Sequence, residues 1–186
     1  SLGRVIRREE LNLLCISIRA SAYAQQSKII TDYIHEAFEL PVLWGGMHPT
    51  LKPDECLEFA DMVLGGEGEI ALTDLANRLR DGTDDVVETP NVSFSFDDGT
   101  KAHNAKRPLI KNLDDLAFRD YTTHQHKYFI TGRNYMVGDP MHGDPVFQMM
   151  GSRGCIYKCS YCYNSTYKKD IYPGQKWFRV RSPASM

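Results

Sequence analysis

The sequence of 186 residues has no apolar run approaching the roughly 20 residues that a membrane-spanning helix needs. Its opening, Ser1-Leu2-Gly3-Arg4-Val5, does not read as a signal peptide. Charge of one sign is also lacking. With 22 Lys and Arg against 24 Asp and Glu the formal net charge is −2, so neither a nucleic-acid partner nor an anionic membrane is expected. There is no internal repeat and no low-complexity tract. Cysteine is scarce and uneven: there are five, an odd number, and three fall within eight residues. A disulfide framework would be larger and more evenly spread, so a reducing, cytoplasmic setting is expected. What remains is 42% hydrophobic and 25% charged, ordinary for a soluble globular chain of one domain or two small pieces.

Leu11 to Ile18 (LNLLCISI) is nearly continuous in apolar residues, as in a strand buried on both faces. Ala20 to Leu40 reads as a helix, with Ile29, Ile30, Tyr33, Ile34, Ala37 and Phe38 at helical spacing and Pro41 as its stop. Pro41 to Trp44 is a second buried strand, ended by Gly45-Gly46. Pro53 to Ala60 is a short helix with Pro53 in its first turn. Asp61 to Leu64 is a third strand, ended by Gly65-Gly66. Glu67 to Arg80 is an amphipathic helix with Ile70, Leu72, Leu75, Ala76 and Leu79 apolar, ended at Asp81-Gly82. Alternating strands and helices imply an α/β fold: a partial doubly wound, Rossmann-like parallel sheet with right-handed crossovers. Its carboxyl edge carries Ser17, Gly45-Gly46 and Gly65-Gly66. That edge is where open α/β sheets bind ligands, and glycine there admits close approach to the backbone. Tight turns alone would also explain such glycines.

After Gly82 the pattern changes. Asn91 to Phe96 alternates and Asp97-Asp98-Gly99-Thr100 reads as a turn, so a β-hairpin is expected. Lys106 to His126 reads as a polar connector, Lys127 to Met136 carries no clear signal, and Val137 to Pro145 is loop-like. Val146 to Met150 (VFQMM) then reads as a short buried strand running into Gly151-Ser152-Arg153-Gly154. Three segments are expected: 1–83, 84–145 and 146–186.

The constellation with the strongest chemistry follows. Cys155, Cys159 and Cys162 are spaced Cys-x3-Cys-x2-Cys. Thiolates are natural iron–sulfur ligands, and three on one loop can hold three irons of a [4Fe–4S] cube and leave the fourth open. An electron-transfer cluster would want a fourth cysteine. Cys15, inside a strand, and Cys56, in a helix, read as small buried residues. Zinc usually takes paired Cys-x2-Cys knuckles with four ligands.

This triplet, with Tyr161 just before the last cysteine, resembles the signature of the radical S-adenosylmethionine (SAM) superfamily. Gly151-Ser152-Arg153-Gly154-Cys155 and Trp177-Phe178-Arg179-Val180-Arg181-Ser182-Pro183 resemble the branch in which a cobalamin-binding domain precedes the radical SAM barrel. Gly45-Gly46-Met47-His48-Pro49-Thr50 and Asp61-Met62-Val63-Leu64-Gly65-Gly66-Glu67-Gly68-Glu69 look like that domain's two glycine-rich loops. Ser17 resembles a serine near the cobalamin nucleotide tail. The resemblance implies Cys155, Cys159 and Cys162 as cluster ligands, and Ser17, Gly45, Gly46, His48, Gly65, Gly66, Glu67 and Tyr161 as cofactor-proximal. It implies the end of a cobalamin-binding domain, then a hairpin and linker, then the first strand and cluster loop of a partial TIM barrel.

The sequence also departs from the pattern. Such a cobalamin domain has five parallel strands, of which three are found, and residues 1–10 look like the tail of an earlier helix. A radical SAM barrel takes on the order of 200 residues, and about 40 follow here. The chain is therefore expected to be part of a longer enzyme. His35, His103, His124, His126 and His142 read as solvated, and Glu67 and Glu69 suit the start of a helix.

The resemblance implies that the open iron chelates SAM and that reductive cleavage gives a 5′-deoxyadenosyl radical, which takes hydrogen from a substrate. Methyl transfer from cobalamin, or ring formation, would follow. The expected cofactors are a [4Fe–4S] cluster, SAM and cobalamin, and the expected partners a small-molecule substrate and an electron donor such as a flavodoxin or ferredoxin. A cobalamin-free docking domain and a non-enzymatic iron–sulfur carrier are the alternatives. By itself the chain is expected to be inactive and to self-associate through the strand at Leu11–Ile18.

Overall fold

The computed structural model describes residues 2–118, 128–131, 134–138 and 149–186. It forms two compact units: Leu11–Pro108, and Ser1–Glu10 together with Leu109–Met186. Helix α1 (Leu2–Glu9), where the tail of a helix was expected, belongs to the second unit.

The first unit is built on five strands. β1 (Leu14–Ser17), β2 (Val42–Gly45) and β3 (Met62–Leu64) are parallel neighbours. Helix α2 (Ala24–Phe38) joins β1 to β2. Two short helices, α3 (Met47–Leu51) and α4 (Pro53–Cys56), join β2 to β3. Helix α5 (Gly68–Asp81) follows β3. The expected hairpin is β4 (Val92–Ser95) and β5 (Lys101–His103). It is not a linker beyond the sheet. β4 pairs antiparallel with β3, giving the order β1-β2-β3-β4-β5. The sheet is therefore mixed, and the unit runs to Pro108 rather than ending near 83.

β2 and β3 are buried throughout except Gly45, as expected of strands covered on both faces. Adjacent residues point to opposite faces. On one face Leu43, Met62 and Leu64 pack with Ala71 and Leu75 of α5 and with Val92 and Phe94. On the other, the Trp44 indole N–H donates to Thr31 Oγ1 of α2 at 2.9 Å.

Three readings need correction. β1 is shorter than Leu11–Ile18 and lies at the sheet's edge. It alternates between half-buried and exposed residues, Cys15 is exposed, and β1 pairs only with β2 among the described residues. α2 buries Ser27, Thr31 and Ile34, while Ile29, Ile30 and Tyr33 are exposed. Small hydroxyl residues suit that face: Ser27 Oγ donates to the Tyr23 carbonyl and Thr31 Oγ1 to that of Ser27, both at 2.9 Å. α5 likewise buries Ala71 and Leu75 and exposes Ile70, Leu72 and Leu79. The helix stops behave as expected. Glu39 ends α2 in the left-handed region (φ 50°) before Pro41, and Gly82 ends α5 (φ 64°).

In the second unit, Tyr128–Thr131 (β6) and Asn134–Val137 (β7) form an antiparallel pair where the sequence was silent. The strand read at Val146 to Met150 falls partly outside the described residues. Met149 and Met150 are exposed, and pairing begins at β8 (Ser152–Arg153), antiparallel to β9 (Arg179–Val180). The stretch from Leu109, read as a connector, is strapped down within this unit. Leu109 N–H donates to Gln175 Oε1 at 2.7 Å, and buried Arg179 donates to the Ile110 carbonyl at 2.6 Å. Arg181 reaches the Leu116 carbonyl at 3.3 Å, and Ser182 N–H donates to Asp114 at 2.9 Å. The arginines of the Trp177–Pro183 segment thus hold backbone carbonyls. His124, His126 and His142 lie outside the described residues.

Candidate functional site

The cysteine loop begins at β8. Gly154 has φ +80°, and a Cβ there would stand 2.2 Å from the Trp177 carbonyl oxygen, so only glycine lets the chain turn at this point. Cys155 and Cys162 are half-buried, Cys159 is exposed, and all three are free thiols. Cys162 N–H donates to the Cys159 carbonyl at 3.1 Å, and Ser165 Oγ to the same oxygen at 2.8 Å. This folds the Cys159–Cys162 stretch back on itself. Cys162 caps the short helix α6 (Tyr163–Thr166). The Asn164 backbone N–H, then its side chain, holds the Cys162 thiol below its ordinary value. Asn164 Nδ2 lies 3.4 Å from Cys162 Sγ, and its Oδ1 accepts from the Trp177 indole at 3.2 Å. Trp177 stacks on Tyr172 and lies against Tyr167. Asn164 was not legible as a site residue; its place two positions after the last cysteine was the one available signal. Tyr161 is 91% exposed.

The donor set suits iron: three unpaired thiols on one loop, one of them acidified. Cys15 and Cys56 lie in the other unit. Among the described residues no three His, Cys, Asp or Glu side chains are gathered as a metal-holding group. Burial, with Glu55 second, pushes the Cys56 thiol up to about 12, as suits a structural residue.

The second candidate is the carboxyl edge of the sheet. Ser17 is exposed at the end of β1, and Ile18 N–H donates to the Gly45 carbonyl at 2.7 Å. Gly46 has φ +101°, and a Cβ there would lie 2.8 Å from the Ile18 carbonyl oxygen. Gly46 is therefore required by the fold itself. Gly45 is not: a Cβ there would meet nothing closer than 3.8 Å. Thr50, which the sequence reading passed over as a site residue, joins the two glycine loops. Its Oγ1 donates to the Gly46 carbonyl at 2.7 Å and accepts from Gly66 N–H at 2.9 Å. Gly66 is also left-handed, at φ +85°. Asn91 holds Gly65 from both sides: its Nδ2 donates to the Gly65 carbonyl at 2.8 Å and its carbonyl accepts from Gly65 N–H at 2.9 Å. Glu67 stands at the N-cap of α5.

His48 is 5% exposed. Its Nδ1 is 3.0 Å from Ser21 Oγ, and its Nε2 is buried with no hydrogen-bond partner among the described residues. A buried unpaired nitrogen is costly, and a polar ligand would relieve it. That orphaned nitrogen fits a large amide-bearing ligand such as cobalamin at this edge. His35 and His103, read as solvated, are instead paired. His35 Nε2 lies 2.9 Å from Asp61, and His103 lies 3.1 Å from both Asp54 and Ser93.

No protein-family model matches the chain. It superposes on the solved structure of TsrM, a radical SAM methyltransferase from Kitasatospora setae with tryptophan and a SAM analogue bound. The match has a TM-score of 0.67 and 17% identity, over 99% of this chain and 35% of that one. The two share a fold. OxsB, a cobalamin-dependent SAM radical enzyme with aqua-cobalamin and SAM bound, matches 58% of this chain and 16% of its own at a TM-score of 0.50 and 18% identity. In sequence, an uncharacterized methyltransferase of Pyrococcus horikoshii is 26% identical over 183 residues, 95% of this chain and 35% of that protein. The chain thus spans about a third of the length of that relative and of TsrM. Among the described residues no helix is long and apolar enough to cross a membrane.

Proposed function

We propose that this chain is part of a cobalamin-dependent radical SAM methyltransferase. Cys155, Cys159 and Cys162 would hold a [4Fe–4S] cluster, and the carboxyl edge of the Leu11–Pro108 sheet would hold cobalamin. The observation that carries this reading is the cysteine loop: three free thiols at Cys-x3-Cys-x2-Cys spacing, turned out of β8 by an obligate glycine. The fold likeness to a radical SAM methyltransferase over 99% of the chain supports it. When bound, the cluster supplies one-electron reduction of SAM, and cobalamin supplies a methyl group.

The chain's own residues bind and orient. Asn164, fixed by Trp177, favours the thiolate of Cys162. Exposed Tyr161 offers a ring to a ligand on the loop. His48, with its buried Nε2, follows the end of β2, and exposed Ser17 ends β1 at the sheet edge. Methyl transfer is favoured over ring formation because both TsrM and the Pyrococcus relative are described as methyltransferases. The partners are a small-molecule substrate and a one-electron donor such as a flavodoxin or ferredoxin. Anaerobic reconstitution of the full-length enzyme should give one [4Fe–4S] cluster, read by iron and sulfide analysis. The Cys155→Ala, Cys159→Ala, Cys162→Ala triple variant should give none. A full cluster in the triple variant would refute the assignment.

A further inference from the structure

We propose that Lys106 binds the phosphodiester of the cobalamin nucleotide tail at the sheet's carboxyl edge, an inference that rests on the cobalamin reading above. Lys106 lies in the stretch after β5, outside every motif noted in the sequence. The backbone on both sides of it is pinned. The Ala105 carbonyl accepts from Asn91 N–H at 3.0 Å, and Arg107 N–H donates to Asn91 Oδ1 at 2.8 Å. Arg107 is tied to Asp74 of α5 at 2.7 Å. Asn104 Nδ2 reaches the carbonyls of Val87, Thr89 and Val92 at 2.7, 3.0 and 2.9 Å.

From this fixed base the Lys106 side chain crosses Gly65. A Cβ at Gly65 would lie 3.0 Å from Lys106 Cε, and 3.8 Å from both Lys106 Nζ and Thr50 Cα. With no Cβ at Gly65, the lysine lies close against the loop. Its ammonium stands beside the Gly65-Gly66 turn and the helix that carries His48 and Thr50. Lys106 is exposed and has no hydrogen-bond or ion-pair partner among the described residues. The same edge therefore carries two polar groups without a partner among the described residues, Lys106 Nζ and the buried His48 Nε2.

Their chemistry separates what each can meet. The side chains around a corrin ring are neutral amides, and the phosphodiester of the nucleotide tail is the cofactor's one fixed negative group. A lysine held at the site has that group alone as its charged counterpart, in a charge-assisted hydrogen bond.

The test compares hydroxocobalamin with cobinamide, which lacks the phosphodiester, ribose and base, in binding titrations of the full-length enzyme. Lys106→Ala should weaken hydroxocobalamin about tenfold, as loss of one charge-assisted contact would. It should leave cobinamide binding unchanged and the melting temperature unaltered, and Lys106→Arg should restore most of the loss. Unchanged hydroxocobalamin affinity in Lys106→Ala, or equal loss for both ligands, would overturn the assignment while leaving the cobalamin reading intact. A wild-type enzyme that binds neither corrinoid would overturn the cobalamin reading and the role of Lys106 with it.

Discussion

Gly154 and Asn164 both shape the cysteine loop. A methyl at position 154 would sit 2.2 Å from a backbone oxygen in a left-handed conformation. Gly154→Ala should therefore cost more than the roughly 1–2 kcal/mol of backbone strain alone and lower the thermal midpoint of the protein. An unchanged midpoint would show that the loop turns by another route. Asn164→Ala removes the side-chain N–H from Cys162 but keeps the backbone N–H, the larger cause of its acidity. The thiol should rise part of the way to its ordinary value, and iodoacetamide labelling of Cys162 near neutral pH should slow in the cluster-free protein. Cys56, with its thiol at about 12, should stay unlabelled in the folded state. Equal labelling of the two would contradict these assignments. In the sheet, Asp61 Oδ2 accepts from buried Val42 N–H at 2.7 Å and from His35 at 2.9 Å. Asp61→Ala should destabilise by about 1–3 kcal/mol, the cost of an unpaired buried amide. Asp61→Asn, which keeps an acceptor, should cost less in denaturant unfolding.

At the scale of elements, β2 and β3 were legible because burial on both faces writes an unbroken apolar run into the sequence. The face of α2 was not. Its apolar residues Ile29, Ile30 and Tyr33 point to solvent, while Ser27 and Thr31 are buried because their hydroxyls bond to their own helix and take the Trp44 indole. A periodicity count rewards apolar side chains and cannot see that compensation. α3 was missed because Pro49 reads as a breaker, yet it lies in the first turn, where its missing N–H costs nothing. The hairpin was legible as a hairpin, but strand pairing across the chain places it in the sheet, and no local pattern reports that. β1 carries no proline and no charge, and it pairs only with β2 among the described residues. Such an edge invites another strand. The chain taken alone should therefore self-associate in light scattering at micromolar concentration. A clean monomer would mean that the edge is covered.

At the scale of the molecule, the two candidate sites differ in how much of each is local. The cysteine loop was legible as a candidate because its spacing lies on a single short stretch. The sheet edge was only half legible. Ser17, Gly45-Gly46 and Gly65-Gly66 end strands and announce themselves, whereas Thr50, Asn91 and Lys106 reach the edge from elsewhere through tertiary contacts. The central claim is that three cysteines hold a cluster with one iron left open for SAM. Electron paramagnetic resonance of the reduced, reconstituted full-length enzyme tests it most directly. A reduced [4Fe–4S] signal whose g-values shift when SAM is added is the predicted result. A signal that SAM leaves unchanged, or one that survives removal of all three cysteines, would contradict it.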